Sequence, residues 1–97
     1  MLHILSHPLH SIDLEVFLRF LMHGDEIFML QDGIIMGFKT YNILFNELSI
    51  IPVATRYALK NDVEARGVLN LMSSNINLIN YDEFITLSTT HIQQIHW

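Results

Sequence analysis

Short apolar runs alternate with amphipathic segments along this 97-residue chain, and this alternation constrains the fold more than any other feature. The apolar runs have the length of strands, and turn-forming residues separate them from segments with helical spacing. Strands and helices that alternate at this length are typical of a parallel sheet with right-handed crossovers. We therefore predict a single α/β domain over residues 1–97, with three layers (α/β/α) and a mainly parallel sheet of four to five strands.

The predicted elements follow from local signals. Pro8 stops the first strand, because proline has no N–H to donate to a ladder. Ser11 is the predicted N-cap of the first helix and Gly24 its C-terminal stop, while Asn80 or Asp82 caps the last helix. Residues 34–38 fit either a strand or a helix. The predicted strands are 2–5, 26–30, 52–57 and 76–79, and the predicted helices are 12–23, 41–48, 61–67 and 82–90.

The first predicted helix carries more apolar surface than one sheet can cover. Its charged residues fall on one narrow stripe, and the apolar arc spans about 240°, whereas packing on a sheet needs only about 100°. A neighbouring helix of the same domain or a protein partner must cover the remainder, and we favour a partner. The centre of the arc, Leu14, Phe17 and Leu21, should face the sheet. The flanking residues are the predicted interface: Val16, Leu18, Phe20 and Met22.

Trp97 is added to the predicted interface. An indole with little chain beyond it docks either on its own domain or on a partner, and its sequence position leaves both open. A composition of 51% hydrophobic and 15% charged residues also leaves apolar surface for a partner.

Charge and hydropathy exclude two kinds of partner. The formal net charge of −5 has the wrong sign for a surface that neutralises phosphates, so we predict no direct nucleic-acid binding. No apolar run approaches the roughly 20 residues that span a bilayer, and the N-terminus lacks the cationic start of a signal peptide. We therefore expect a cytoplasmic protein without a membrane segment.

The chain contains no cysteine, which excludes thiolate nucleophiles, persulfides and thiolate metal sites. His3, His7 and His10 run across a strand, a turn and a loop rather than along one helical face, so we predict no metal site. We also predict no cofactor and no catalytic residue, because no glycine-rich phosphate loop or nucleophile elbow is present. Asp32 follows a buried strand, where it either meets a ligand or fixes a tight turn, and the turn is favoured.

His91 and His96 are candidates for acid–base catalysis because of their residue type, but neither has an orienting carboxylate close in sequence. A role at the surface or at a partner contact is therefore the better interpretation than acid–base catalysis.

An ordered set of strings resembles the TusB/DsrH family from end to end. The strings are Met1-Leu2-His3 with Pro8, Leu30-Gln31-Asp32-Gly33, Tyr57-Ala58-Leu59 leading into residues 62–67, and Tyr81 to Leu87 followed by His91 and Trp97. The resemblance implies a DsrE/F/H-like fold and a non-catalytic subunit of a cytoplasmic sulfur-relay complex that serves 2-thiolation of the wobble uridine of tRNA.

The resemblance also implies partners. These are TusC-like and TusD-like paralogous subunits in a heterohexamer with two copies of each, and a TusE-like sulfur carrier that meets the complex. In this family the relay cysteine belongs to the TusD-like subunit. DsrH-type relatives in sulfur oxidation can carry a cysteine near the first helix, and its absence here favours the tRNA branch. The alternatives are a sulfur-oxidation subunit, a self-assembling regulatory module without sulfur chemistry, or an enzyme that works through Asp32 and a histidine.

Overall fold

The computed structural model describes residues 1–41, 55–91 and 93–97, and within them five strands form one sheet. Every neighbouring pair is parallel, and the strand order is β4-β3-β2-β1-β5. The predicted α/β class and parallel sheet are therefore confirmed. The strands are β1 (Leu2–Leu5), β2 (Glu26–Met29), β3 (Thr55–Leu59), β4 (Asn77–Ile79) and β5 (Gln94–His96).

Three α-helices lie within the described residues, together with short 3-10 segments. The helices are α1 (Leu14–Phe20), α2 (Lys60–Ala65) and α3 (Tyr81–Thr89), and the 3-10 segments are Leu9–Ser11, Gln31–Gly37, Lys39–Tyr41 and Leu69–Leu71. The ambiguous residues 34–38 thus belong mainly to a 3-10 segment. The predictions for residues 42–48 and 52–54 lie outside the described residues. The fifth strand has only one apolar residue, Ile95, so it carries no periodic signal in the sequence.

The strand order places helices on both faces of the sheet. Three successive crossovers run in one direction from β1 to β4, and the last returns to the far side of β1. Right-handed crossovers therefore put α1 and α2 on one face and α3 on the other. Two apolar clusters match this arrangement. One contains Phe17 of α1 and Val63 of α2, and the other packs Phe84 and Leu87 of α3.

Helix α1 is shorter than predicted at both ends. Asp13, not Ser11, is its N-cap, and its side chain accepts a hydrogen bond from the Val16 N–H at 3.2 Å. Ser11 instead ends a 3-10 turn. The helix stops at Phe20 because the Asp25 carboxylate accepts the Met22 N–H at 3.0 Å, an N–H that a continuing helix would use internally. Met22 and His23 are therefore outside the helix.

Helix α3 begins with a capping box, and this start was predicted. Asn80 accepts a hydrogen bond from the Glu83 N–H at 2.8 Å, and the Glu83 carboxylate accepts the Asn80 N–H at 3.2 Å. The choice left open between Asn80 and Asp82 is therefore settled in favour of Asn80. Two donors that the first helical turn leaves unpaired are satisfied by this exchange.

A buried carboxylate links three separate parts of the chain, directly or through His3. Asp25 accepts hydrogen bonds from the N-terminal ammonium of Met1 at 3.0 Å, from His3 Nε2 at 2.8 Å and from the Met22 N–H. The other ring nitrogen of His3 accepts the indole N–H of Trp97 at 3.2 Å. His3 is fully buried and Asp25 nearly so. We call Met1, His3, Asp25 and Trp97 the Asp25 cluster.

The Asp25 cluster keeps its carboxylate ionised. Burial acts to raise the pKa of Asp25, but hydrogen bonds from His3, the Met22 N–H and the N-terminal ammonium outweigh it and lower the pKa below its ordinary value of 3.8. The unfolded chain therefore binds the proton more tightly than the folded one. The resulting stability is present above pH 3.8 and is lost as the pH falls through the lower pKa of the folded state.

Gly33 lies where the end of β1 meets the segment after β2. A Cβ atom at this position would fall 1.9 Å from the carbonyl oxygen of Leu5. The same oxygen accepts the Leu30 N–H at 3.0 Å, so it cannot move away without breaking the connection between the two strand ends. Gly33 is needed for close approach of the backbone.

We expect Asp25→Asn to lower the free energy of unfolding at pH 7 by about 2 kcal/mol, because an amide leaves buried donors of the cluster without a charged acceptor. Urea unfolding measures the loss. The matched control is Asp13→Asn, which removes an equal charge and keeps an equivalent N-cap. The gap between Asp25→Asn and the native chain should shrink below pH 3.8. A gap that stays constant down to the acid transition would contradict the assigned ionisation.

We expect Gly33→Ala to lower the free energy of unfolding by about 3 kcal/mol or more, because the added methyl meets immobile backbone. Thermal unfolding compares it with Gly24→Ala. Gly24 has open space around it but a φ of +88°, so that variant should lose only about 1 kcal/mol. Equal losses would show that the Leu5 carbonyl does not constrain Gly33.

Candidate partner interface

Helix α1 buries the residues that the sequence predicts to face the sheet. Phe17 is fully buried, Leu21 is nearly so, and Leu14 is half-buried against the same apolar cluster. This is the sheet-facing centre of the arc. The opposite flank is open, with Val16 40%, Phe20 49% and Met22 68% exposed. We call Val16, Phe20 and Met22 the α1 surface.

The other two predicted interface residues are less accessible. Leu18 is half-buried and packs against the core cluster, so little of it remains for a partner. Trp97 docks on its own domain: its ring meets Phe17 edge-on at 5.3 Å and stacks on His3 at 6.3 Å. Part of Trp97 stays exposed, and Phe20 of the α1 surface lies against it at 5.7 Å.

The backbone of Trp97 is held as firmly as its ring. Its N–H donates to the Ile4 carbonyl at 2.8 Å, and its carbonyl accepts the Ser6 N–H at 3.2 Å and His7 Nδ1 at 2.9 Å. Because Phe20 rests on a fixed indole, the two rings form a pre-ordered apolar contact. Ordering these side chains in advance reduces the entropy that binding would cost.

The charges beside the α1 surface cancel each other. Arg19 donates to the Glu15 carboxylate at 2.6 Å along the exposed stripe of the helix. A mutually neutralised pair leaves the neighbouring apolar residues without a strong local field. The surface therefore suits an apolar protein contact better than a polyanion or a charged small molecule.

Asp32 fixes loops at the carboxyl end of the sheet. Its carboxylate accepts a hydrogen bond from Arg66 at 2.6 Å, and Asp62 accepts the Gln31 N–H at 2.6 Å. Gln31 has a φ of 52°, a left-handed backbone that these bonds hold in place. Asp32 therefore pairs with Arg66 of a remote loop and not with a histidine, and whether it fixes its own turn stays a prediction.

Two histidine contacts were missed because their partners are remote in sequence. His3 bonds Asp25 across 22 residues, and His91 Nε2 lies 3.1 Å from a Glu26 carboxylate oxygen across 65 residues. His91 therefore does have an orienting carboxylate, on the neighbouring end of β2. Only strand pairing brings these residues together, so a local search could not find them.

Within residues 1–41, 55–91 and 93–97, no three histidine, aspartate or glutamate side chains are grouped so that they could hold a metal ion. In the same residues, no helix combines the length and the apolar character required to cross a bilayer.

The chain is similar to one family of known proteins, both by family model and by individual relatives. A family model described as "DsrH like protein" matches residues 7–94. Protein TusB of Pectobacterium carotovorum subsp. carotovorum is 42% identical, that of Pectobacterium parmentieri is 38% identical, and that of Buchnera aphidicola subsp. Baizongia pistaciae is 36% identical, each over the whole of both chains.

A solved structure shares the fold. The solution NMR structure of Protein Tm0979 from Thermotoga maritima superimposes with a TM-score of 0.64 at 25% identity, covering 94% of each chain. Because the family model covers residues 7–94 and the relatives align over the whole chain at 38% and 42% identity, the chain belongs to the TusB/DsrH family.

Proposed function

We propose that the chain is a non-catalytic subunit of a cytoplasmic sulfur-relay complex that serves 2-thiolation of the wobble uridine of tRNA. Its partners in this proposal are TusC-like and TusD-like subunits, two copies of each in a heterohexamer, and a TusE-like carrier meets the assembly. The observation that carries the proposal is the end-to-end similarity to proteins named TusB, at 36–42% identity.

The chemistry of sulfur relay supports different roles for the subunits: one carries the reactive thiol, and this chain does not. A persulfide forms only on a thiol, and passing its outer sulfur requires attack by a second thiolate. This chain has no cysteine, so it can neither hold nor pass the sulfur. The relay cysteine must then lie on a partner, and this subunit contributes surface and shape.

The α1 surface is the proposed contact with one partner subunit. Its three apolar residues are exposed, Phe20 is ordered on Trp97, and the adjacent Glu15–Arg19 pair is neutral. Exposed apolar residues grouped in this way mark protein contacts more often than solvent-facing surface. A net charge of −5 fits a protein that touches other proteins rather than tRNA.

We expect affinity purification of the tagged chain from its native cells to recover two paralogous α/β proteins, one with an essential cysteine. Met22→Glu should weaken this association about 30-fold or more, because a carboxylate at a desolvated contact lacks a partner. Isothermal titration with the purified subunits measures the change.

The matched control is Leu69→Glu, which puts the same charge on a residue of similar exposure outside the α1 surface. It should bind like the native chain. Recovery of the chain alone, or only with copies of itself, would contradict the proposed function. Equal binding by the Met22→Glu and native chains would instead reject the α1 surface as the contact.

We expect deletion of the gene to lower 2-thiouridine at the wobble position, measured by mass spectrometry of digested tRNA. The native sequence and Leu69→Glu should restore it, whereas Met22→Glu should not, because the relay then lacks an assembled subunit. Unchanged thiolation in the deletion strain would contradict the proposed role in tRNA 2-thiolation and would favour a role in sulfur oxidation or regulation.

A further inference from the structure

The α3 face of the sheet is only partly covered by the described residues. Phe84 of α3 stacks on Phe28 of β2 at 4.1 Å, which places the helix over the middle of the sheet. Five strands span about 19 Å between their outer axes, whereas a helix with its side chains is about 10 Å wide. One nine-residue helix therefore leaves sheet surface beside it.

A groove of about 480 Å³ occupies this space. Glu26, Tyr57 and Ile79 line it from the sheet, and Glu83, Thr86 and Leu87 line it from α3. Ile79 and Leu87 provide apolar walls, and Glu26 and Glu83 add two carboxylates to the lining. This mixture suits a long side chain with an apolar stem and a charged end.

The groove is negatively charged. Among the described residues that line it, two are carboxylates and none is basic. Burial raises the pKa of the Tyr57 phenol, and the hydrogen bond and negative charge of Glu26 raise it further. His91 contacts Glu26 from a neighbouring cavity rather than from the groove itself. The field in the groove therefore favours a cation.

We propose that this groove binds an arginine or lysine side chain presented by a second partner subunit, on the face of the sheet opposite the α1 surface. The inference rests on the proposed function, since a subunit inside a larger complex needs a separate surface for each neighbour. The methylene stem packs on Ile79 and Leu87, and the cationic end meets the exposed Glu83 carboxylate. Glu26 contributes its negative charge to the groove without a direct contact, because one of its oxygens bonds His91 and the other is buried.

A matched pair of charge variants tests whether the negative charge of the groove contributes to binding of a partner subunit. Glu83→Gln removes a groove charge and keeps the capping box, since glutamine also serves at that position. Asp82→Asn removes an equal charge from the same helical turn outside the groove. In titrations with the TusC-like and TusD-like subunits, Glu83→Gln should weaken binding of one subunit about fivefold and flatten its salt dependence. Asp82→Asn should stay within about twofold of the native chain. Equal effects of the two variants would overturn the proposal.

The cysteine-free chain offers a direct test of where the partner sits. Thr86→Cys places a single thiol in the groove, and Thr89→Cys places one on the same helix outside it. Both threonines are exposed, and each donates to a backbone carbonyl of α3, so the two changes are comparable. Assembly should slow maleimide labelling of this chain about tenfold or more at position 86 and little at position 89.

Three further outcomes separate the proposals. Equal labelling at position 86 in the free and assembled chain overturns the groove assignment, even if Met22→Glu abolishes assembly and so supports the α1 surface. Protection at position 86 in the chain alone, rising with its concentration, identifies the occupant as a second copy and also overturns it. If neither subunit binds the native chain, the proposed function fails and the groove inference fails with it.

Discussion

The ion-paired carboxylate of Asp25 is the constraint on which the arrangement of α1 and both ends of the chain depends. It accepts hydrogen bonds from the Met1 ammonium, from His3 in β1 and from the Met22 N–H that follows α1. A buried charge is tolerated only when donors replace its lost hydration, and here three donors do so. The carboxylate thereby fixes the start of β1 against the exit of α1.

One further hydrogen bond connects the Asp25 carboxylate, through His3, to Trp97, which is partly exposed. Asp25 accepts from His3 Nε2, which leaves His3 Nδ1 free to accept the indole N–H of Trp97. Trp97 is then fixed beside Phe20. A charge inside the core thus orders an aromatic pair at the proposed contact, next to the strand β5 that pairs with β1.

The sequence predicted the features that depend on neighbours along the chain. Strand β1, the buried side of α1 and the Asn80 cap all have local signals, namely apolar spacing or a capping residue. The early end of α1 has no such signal, because the group that ends it, Asp25, acts through a tertiary hydrogen bond. Asp13 replaced Ser11 as the cap for a local reason: Ser11 ends the preceding 3-10 turn, in which its N–H donates to the Pro8 carbonyl.

The residues of the candidate site also fall into two groups: those that a local pattern predicts and those that only the packing of remote elements brings together. Exposure of Val16 and Phe20 could be predicted because helical periodicity assigns each residue of α1 a side. Met22 is also exposed, but it lies beyond the helix, so periodicity does not explain its exposure. The groove beside α3 could not, since Glu26 and Glu83 share it only after β2 and α3 pack together. A chain with separate surfaces on the two faces of its sheet can contact two neighbours at once, which is the geometry that the proposed complex would use. In the proposed complex its lack of cysteine has a physical consequence: no thiol on this chain can compete for sulfur that passes between partner subunits.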